Sequence, residues 1–325
     1  MKKWLYSVLV LCSVLILSSN ITKASEVVLY SSNQPELLDT IAQDFKEKTG
    51  ITLTVVRMGT GEAMKRIDAE KANPLGDVFW SGDVSVLDNA KANFMPYVSP
   101  EAKTLPASYK EKDNKWTAAN THLMIIMANT SLVPEAELPK SWKDLLDPKW
   151  KDKIVMANPQ KSGSAYAQVY GLNKILGWDG VKKLVDNVKV LDSSSLIYKG
   201  TAAGEFPLGI TMEYAAHRYV AGGQKDVKVI YPSDGVISAP EGAAIIANCK
   251  HPEEAKKLVD YLLSKEVVDQ IYSEYFRRPA RPDTIVVENM PTVDSLNIMK
   301  GFDPAEANAM QKSLLAKWKK LILAK

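Results

Sequence analysis

The feature of this sequence that most constrains its fold is an alternation of short β-branched runs with amphipathic helical patterns. After the first run, apolar residues recur at helical spacing from Leu37 to Phe45, and Gly50 ends the pattern. Such alternation predicts an α/β fold, with Asn33 as N-cap of the first helix. The predicted strands are residues 27–30, 53–56, 77–80, 123–128, 154–157, 188–191, 208–211 and 243–247, and the predicted later helices include about 62–71, 253–263 and 306–323.

Length and charge limit the classes of protein to which the chain can belong. With 325 residues, 46% of them hydrophobic, it has enough apolar material for a large core, and its length predicts two domains. The net charge of +3 comes entirely from three lysines before Ser25, so 38 basic and 38 acidic residues follow. Because a balanced charge gives no electrostatic footprint for nucleic acid or an anionic membrane, we expect neither as a partner.

Residues 1–24 have the pattern of a secretory signal peptide. Lys2 and Lys3 form a basic start, residues 4–17 are a mostly apolar run, and residues 18–24 are polar with small residues near the end. The run of 14 residues is shorter than the ~20 apolar residues of a membrane-spanning helix. We therefore expect cleavage of this segment and export to the periplasm, with an uncleaved anchor as the alternative.

The two cysteines argue against a disulfide framework or a zinc site in the exported chain. Cys12 lies inside the apolar run of the signal and follows Leu11, which makes it a poor site for lipid attachment. Cys249 is then alone, and we predict that it is a small buried apolar residue. No cofactor or metal is expected from this pattern.

Five junctions between a predicted strand and the next helix hold small, hydroxyl-bearing or amide residues. In open α/β sheets, ligands bind beyond the carboxyl ends of the strands, where helix N-termini carry unpaired N–H groups that attract anions. The pattern therefore predicts an anion-binding site shared by two α/β units. Ordinary helix capping is the alternative explanation. The junctions are Ser31-Ser32-Asn33, Thr60-Gly61, Ser81-Gly82, Ser162-Gly163-Ser164 and Ser193-Ser194-Ser195.

No catalytic motif accompanies these junctions. The sequence lacks a Gly-x-Ser-x-Gly elbow, a Walker loop, an HExxH motif and a cysteine pair. The segment Gly59-Thr60-Gly61 lacks the further glycine of a dinucleotide-binding fingerprint. We therefore expect a binding protein and not an enzyme, with an exported hydrolase as the alternative.

Three stretches carry a likeness to a known family. They are Gly59-Thr60-Gly61-Glu62 with Asn73-Pro74-Leu75-Gly76-Asp77-Val78-Phe79-Trp80, Ser141-Trp142-Lys143-Asp144-Leu145-Leu146-Asp147-Pro148-Lys149-Trp150, and Gly204-Glu205-Phe206-Pro207-Leu208-Gly209 followed by Glu213-Tyr214. Together they resemble the periplasmic solute-binding proteins of ABC importers, in the group of ferric-ion, sugar-phosphate and phosphonate binders. The resemblance implies a type II periplasmic binding protein fold, in which two α/β lobes joined by crossing strands close on a ligand like a hinge.

The resemblance also implies lobes that are discontinuous in sequence. We expect residues 25–122 and 240–283 in the first lobe and residues 123–239 and 284–325 in the second. The candidate crossing strands lie near residues 122–128 and 239–245. The implied partners are a small phosphorylated anionic solute and an inner-membrane ABC permease, and we expect a monomer.

Iron is one ligand that the family allows. Its ferric binders use two adjacent tyrosines at positions that read Tyr214-Ala215 here, so the second phenolate is missing. A metal set of Tyr214, His217 and Glu213 is conceivable, but an exposed or helix-capping His217 is the simpler interpretation. Iron is therefore the alternative ligand.

A phosphorylated organic ligand agrees better with the remaining residues. The resemblance implies that the serine-rich junctions hold a phosphoryl group without a paired cation, and that Asp192 and Glu213 accept from sugar hydroxyls or pair with an amine. Asp192 as a helix cap is the alternative. Trp80 and Tyr214 would pack against the ligand, although such aromatic residues often lie in the core. We expect a hexose phosphate first and an aminoalkylphosphonate second. The phosphoryl-binding residues are Ser162, Gly163, Ser164, Ser193, Ser194 and Ser195.

Overall fold

The computed structural model describes residues 25–325, so the signal peptide expected at residues 1–24 lies outside the described part of the chain. Within residues 25–325 the chain is mixed α/β, as the sequence predicts. The strands are β1 (Glu26–Ser31), β2 (Thr52–Arg57), β3 (Val78–Asp83), β4 (Phe94–Met95), β5 (Thr117–Asn129), β6 (Ile154–Ala157), β7 (Val188–Leu191), β8 (Leu208–Met212), β9 (Val227–Ile230), β10 (Ile237–Ile246) and β11 (Arg278–Pro279). The helices are α1 (Pro35–Thr49), α2 (Thr60–Ala69), α3 (Val84–Asn89), α4 (Gly163–Asn187), α5 (Ser194–Ala202), α6 (Glu213–Ala221), α7 (Pro252–Leu263), α8 (Lys265–Tyr275) and α9 (Pro304–Leu323).

The strands form one mixed sheet in the order β2-β1-β3-β10-β5-β8-β6-β7. β1 is parallel to β2 and β3, and β6 is parallel to β7 and β8. The long strands β5 and β10 lie between these two groups and are antiparallel to their neighbours. They therefore connect two parallel α/β units, each of which directs several strand ends and helix N-termini toward the middle of the molecule.

The first helix shows how the sequence sets the ends of an element. Pro35 lies in the first turn of α1, where its missing N–H is not needed. Gly50 ends the helix with a φ of 72°, a left-handed conformation that favours glycine. The buried face of α1 consists of Leu37, Leu38, Ile41 and Phe45.

Some predicted ends of elements are wrong. Gln34 occupies the N-cap position that we assigned to Asn33, and no side chain caps the helix there. The second helix begins at Thr60, two residues earlier than predicted. β3 does not end before Ser81-Gly82 but continues to Asp83, because β10 pairs with it through Gly242 and Glu241.

Hydrophobic cores lie on both sides of the central strands. At one end of the sheet, α1, α7 and α8 pack on β1 and β3 through residues such as Leu38, Leu258 and Ile271. At the other end, α4 and α9 pack on β6 and β8 through residues such as Leu184 and Trp318. We call these ends the β1–β3 side and the β6–β8 side. The lobe boundaries given above stay a prediction.

The two longest helices of the described chain are both on the β6–β8 side. α4 contains a break at Gly177, whose φ of 68° is not helical, and α9 packs against it. α9 also reaches α3, where Asn308 Nδ2 donates to Asp88 Oδ2 at 2.7 Å. None of the helices in residues 25–325 is both long enough and apolar enough to cross a bilayer.

Cys249 is half-buried, where we predicted full burial. Its side chain packs against two core clusters of the β1–β3 side. Burial raises the pKa of the thiol to about 11, which keeps it protonated at neutral pH.

Candidate functional site

A cavity of about 690 Å³ lies between the β1–β3 side and the β6–β8 side. Its size is typical of a site for a small organic ligand. Residues from the ends of β1 and β3 line it together with the N-terminal residues of α2, α4 and α5. The predicted site residues that line this cavity are Ser32, Thr60, Gly61, Ser81, Ser162, Gly163, Ser164, Asp192, Ser193, Ser194, Ser195 and Tyr214.

Three serines meet at the N-termini of α4 and α5, and we call Ser162, Ser164 and Ser194 the serine cluster. Ser162 Oγ lies 2.8 Å from Ser194 Oγ and 3.0 Å from Ser164 Oγ, and the third pair of hydroxyls is 3.2 Å apart. Ser162 also caps α4 by accepting from the backbone N–H of Ala165 at 3.2 Å. Because unpaired N–H groups and a partial positive charge occur at both helix N-termini, this cluster suits an oxyanion.

Cationic side chains line the same cavity, contrary to our expectation of a phosphoryl site without a paired cation. They are Arg57, Lys65, Lys161 and Arg277. Lys161 Nζ lies 2.8 Å from Asp192 Oδ1. Asp192 is therefore engaged by a lysine, and α5 has Ser193 as its N-cap instead.

A second group of lining residues centres on a buried ion pair. Arg277 is 2% exposed, and its Nη1 donates to Glu241 Oε2 at 2.8 Å. His122 Nε2 contacts the same carboxylate oxygen. The guanidinium lies over the ring of Tyr214, with its Cζ 4.0 Å from the ring centroid. We call Arg277, Glu241, His122 and Tyr214 the arginine group.

The charges in the arginine group are set by burial and by the ion pair. Burial by itself raises the pKa of Glu241, but its contacts with the His122 ring and the Arg277 guanidinium outweigh burial and lower the pKa. Burial lowers the pKa of His122, so this ring is neutral at pH 7. The arginine group therefore contains one cation, Arg277, and one carboxylate, Glu241, which form an ion pair with each other.

Three hydroxyls form a row between Glu241 and α2, and we call Thr60, Ser32 and Ser81 the hydroxyl row. Thr60 Oγ1 donates to Ser32 Oγ at 3.3 Å, Ser32 Oγ donates to the Ser81 carbonyl oxygen at 2.6 Å, and Ser81 Oγ donates to Glu241 Oε1 at 3.1 Å. Ser81 has a φ of 78°, an uncommon conformation for a residue with a side chain. The local irregularity of β3 therefore places a serine hydroxyl beside Glu241.

Asp83 also lines the cavity, at the point where β3 ends. Its Oδ1 accepts from the backbone N–H of Ser85 at 2.9 Å and caps α3. Burial raises the pKa of this carboxyl to about 7, although the hydrogen bonds from Ser85 act in the opposite direction. Asp83 is therefore partly protonated at neutral pH.

Five predicted site residues do not line the cavity. They are Ser31, Asn33, Trp80, Gly82 and Glu213. Trp80 packs in the core of the β1–β3 side, because successive side chains of a strand point to opposite faces and its neighbour Ser81 faces the cavity. Glu213 is buried and accepts from Arg278 Nε at 2.6 Å, so it is not available to a ligand.

His217 is neither exposed nor a cap. It is 5% exposed and packs edge-on against Phe276, with ring centroids 4.7 Å apart. Within residues 25–325 there is no group of three His, Cys, Asp or Glu side chains that could hold a metal ion. Glu213 forms an ion pair with Arg278. The metal-binding set of Tyr214, His217 and Glu213 that the sequence allowed therefore has no free carboxylate.

The two sides of the cavity come close to each other where α2 faces the start of α4. A Cβ atom on Gly61 would lie 3.6 Å from the carbonyl oxygen of Gln160, and one on Gly163 would lie 3.6 Å from Thr60 Cβ. The gap between α2 on one side and the start of α4 on the other would thus hold about one methyl group at these positions. The cavity is therefore narrow at this point.

The sequence matches the family described as bacterial extracellular solute-binding protein over residues 73–302. The chain belongs to this family. A relative from Serratia marcescens, named Fe(3+)-binding periplasmic protein, is 24% identical over 74% of both chains. A relative from Salmonella paratyphi A, provisionally named as a 2-aminoethylphosphonate-binding periplasmic protein, is 24% identical over 74% of this chain and 72% of its own.

The fold of this solute-binding protein is similar to that of a solved member. The periplasmic binding protein AfuA from Actinobacillus pleuropneumoniae, solved with exogenous fructose-6-phosphate bound, superimposes with a TM-score of 0.87. The match covers 93% of this chain and 99% of AfuA at 24% identity. The predicted type II periplasmic binding protein fold is thereby confirmed.

Sequence reasoning missed Arg277, Glu241 and His122 of the arginine group, although it predicted Tyr214. The chain has 6 arginines among its 41 basic residues, and three of them, Arg277, Arg278 and Arg281, lie within five positions. Arginine is the usual cation of buried ion pairs and of oxyanion recognition. That clustering is the sequence signal that could have pointed to this segment.

Proposed function

We propose that this protein captures a small phosphorylated organic anion outside the cytoplasm and delivers it to the membrane permease of an ABC importer. A hexose phosphate is the favoured ligand and an aminoalkylphosphonate the next. The membership of the solute-binding family and the signal-peptide pattern of residues 1–24 support the location and the role. The protein binds this ligand as a monomer and does not turn it over.

The serine cluster is the observation that carries the choice of ligand. It joins two helix N-termini in the wall of a cavity that is also lined by four cationic side chains. Hydroxyls, backbone N–H groups and cations together are the donors that a phosphoryl group requires. A cavity of about 690 Å³ leaves room for an organic part of the ligand beside the phosphoryl group.

A ferric ion is the second candidate, because one of the relatives is named as a ferric-ion-binding protein. The surroundings of Tyr214 argue against a ferric ion. The Arg277 guanidinium lies 4.0 Å from the ring centroid of Tyr214, the one tyrosine at the family's metal-binding pair of positions. Burial raises the pKa of the Tyr214 hydroxyl, which disfavours the phenolate that iron needs.

Thermal denaturation of the mature protein, stripped of bound ligand, tests the proposal. Glucose 6-phosphate is compared with glucose, inorganic phosphate, 2-aminoethylphosphonate and ferric citrate. A ligand at 100 times its Kd stabilises the protein by about 2.7 kcal/mol, which raises the midpoint visibly. We expect a large shift with glucose 6-phosphate and none with glucose or ferric citrate, and no release of phosphate during the incubation.

Ser194→Ala should abolish most of the shift, because it removes one hydroxyl of the serine cluster. Ser273→Ala, on the exposed surface of α8, is the matched control and should bind like the unmodified protein. A shift with ferric citrate alone would replace the phosphate proposal with the iron alternative. Steady release of phosphate would instead support the hydrolase that we set aside.

A further inference from the structure

The hydroxyl row has a fixed direction of donation. Thr60 donates to Ser32, Ser32 donates to a carbonyl oxygen, and Ser81 donates to Glu241. A hydroxyl has one proton and two lone pairs. Since each proton is used inside the protein, the row presents lone pairs to the cavity that its members line. A ligand that satisfies the row must therefore bring its own O–H or N–H donors.

Arg277 supplies the complementary donor at the Glu241 end of the row. Its Nη1 donates to Glu241 Oε2 at 2.8 Å and to His122 Nε2 at 2.9 Å, whereas its Nη2 makes one bond of 3.3 Å, to Gln34 Oε1. A guanidinium Nη atom carries two N–H bonds, so Nη2 can donate once more. The Tyr214 ring, 4.0 Å from Cζ, holds the plane of the guanidinium in place. A ligand oxygen could accept a hydrogen bond from Nη2 there.

An alkyl ammonium group would find no free carboxylate at the Glu241 end of the hydroxyl row. Glu241 Oε1 accepts from Ser81 and Glu241 Oε2 accepts from Arg277, so this carboxylate is already paired. Asp192 pairs with Lys161, and Glu213 lies outside the cavity with Arg278. Glu62 of α2 and Asp83 at the end of β3 also line the cavity, so this exclusion applies to the Glu241 end of the row, where the donors needed are those of neutral hydroxyl groups.

The row also lies at the right place for the organic part of a phosphorylated ligand. A Cβ on Gly163, between Ser162 and Ser164 of the serine cluster, would lie 3.6 Å from Thr60 Cβ. Thr60 is the first member of the row, which continues from there through Ser32 and Ser81 to Glu241. A ligand with its phosphoryl group on the serine cluster thus meets the row with its adjoining atoms.

We propose that the hydroxyl row and Arg277 form a polyol subsite, which selects a phosphorylated polyhydroxylated compound over an aminoalkylphosphonate. The row accepts from the ligand's hydroxyls and Arg277 Nη2 donates to one of their oxygens. This inference rests on the proposed function, because it takes the serine cluster as the phosphoryl site.

A ligand series on the unmodified protein tests the subsite without any risk to folding. Isothermal titration compares ethyl phosphate, glycerol 3-phosphate, glucose 6-phosphate and 2-aminoethylphosphonate, which carry a similar head group and different tails. We expect affinity to rise at least tenfold from ethyl phosphate to glucose 6-phosphate, with glycerol 3-phosphate between them. The aminoalkylphosphonate should bind no better than ethyl phosphate.

Variants then assign the effect to the named residues. Arg277→Lys keeps the charge but removes the second Nη donor, and Thr60→Val keeps the shape but removes a hydroxyl. Each should weaken glucose 6-phosphate, by about 10- to 100-fold and 3- to 10-fold respectively, and change ethyl phosphate less than threefold. Ser194→Ala should weaken both ligands by the same factor. Unliganded thermal midpoints verify folding, and Thr60→Val decides the matter if Arg277→Lys does not fold.

The outcomes separate the two proposals. If no phosphorylated compound binds, the proposed function fails and the subsite with it. If these compounds bind but ethyl phosphate equals glucose 6-phosphate, or 2-aminoethylphosphonate is the tightest, the phosphoryl site stands and the polyol subsite is wrong. Equal losses for ethyl phosphate and glucose 6-phosphate in both Arg277→Lys and Thr60→Val would assign these residues to the phosphoryl group and would also overturn the subsite.

Discussion

Asp83 is a single residue through which pH acts on the stability of the whole fold. Burial raises the pKa of its carboxyl to about 7, while an unfolded chain has an Asp pKa near ~3.9. The folded protein therefore binds this proton more tightly than the unfolded chain. Between the two pKa values the free energy of unfolding must fall as pH rises, and above about 7 this contribution stops changing.

Asp83→Asn should remove that dependence, because asparagine keeps the Oδ1 that accepts from Ser85 and carries no charge. As pH rises from 4 to 7, we expect the free energy of unfolding of the variant to increase relative to that of the unmodified protein by on the order of 2–4 kcal/mol. Above pH 8 the difference between the two proteins should stay constant. Urea denaturation across this range measures it. The exposed Asp294→Asn is the control, and equal pH profiles for both variants would contradict the prediction.

The sequence predicted those site residues whose role can be recognised from their neighbours in the chain. The serines of the junctions were found because small residues after a strand are a local pattern, and most of them line the cavity. Trp80 was misassigned because one position along a strand reverses the face of the sheet. Arg277 was missed because it reaches Glu241, on β10, only through the tertiary fold.

At the scale of elements, a buried ion pair ties β11 to the start of α6. Glu213 accepts from Arg278 Nε at 2.6 Å and Nη2 at 2.8 Å, and Arg278 Nη2 also donates to the Pro291 carbonyl oxygen at 2.7 Å. Glu213 and Arg278 are 1% and 5% exposed. The segment that carries Arg277 is therefore held against β5 and α6 by the neighbouring residue.

Glu213→Gln should destabilise the fold by about 3–5 kcal/mol, because it leaves the buried Arg278 guanidinium without its counter-charge. Chemical denaturation at pH 7 measures the free energy of unfolding. The control is Asp179→Asn, which breaks an exposed pair with Lys182 of 2.7 Å and should cost less than about 1 kcal/mol. Similar losses for the two variants would mean that the buried pair contributes no more than a surface pair.

Strands were predictable where the local sequence pattern agrees with the way the strand pairs in the sheet. The strands at residues 154–157 and 188–191 agree with the structure because each is a short apolar run in a βαβ unit. β10 was predicted as residues 243–247, with a candidate crossing strand near residues 239–245, but it begins at Ile237; Pro240 and Gly242 argue locally against a strand there. Pairing with β5 and β3 on its two edges overrides that preference.

At the scale of the molecule, the narrow gap across the cavity bears on how a ligand enters and is held. α2 and the start of α4 come close to each other near Gly61 and Gln160, where the gap would hold about one methyl group. The long strands β5 and β10 pass between the two sides. We propose that these strands are the hinge, and that ligand binding shifts the protein from an open form to this closed one.

Gly61 offers a test of closure by two matched substitutions. A Cβ on Gly61 would lie 3.6 Å from the Gln160 carbonyl oxygen, an ordinary contact, so Gly61→Ala should close normally. Gly61→Leu adds three carbon atoms beyond that point and should hold the two sides apart, because the carbonyl oxygens of residues 160 and 161 leave no room for them. Small-angle X-ray scattering with saturating glucose 6-phosphate measures the radius of gyration.

We expect the unmodified protein and Gly61→Ala to become more compact on binding, and Gly61→Leu to keep its unliganded radius while binding at least tenfold more weakly. Compaction of Gly61→Leu to the same radius would show that α2 and the start of α4 do not touch in the liganded state. If the unmodified protein binds glucose 6-phosphate tightly without any change of radius, the cavity is reached through a local opening and the hinge is not used. Closure is thus separable from affinity, since the radius of gyration at saturation reports how compact the molecule is, whereas the titration reports how tightly the ligand binds.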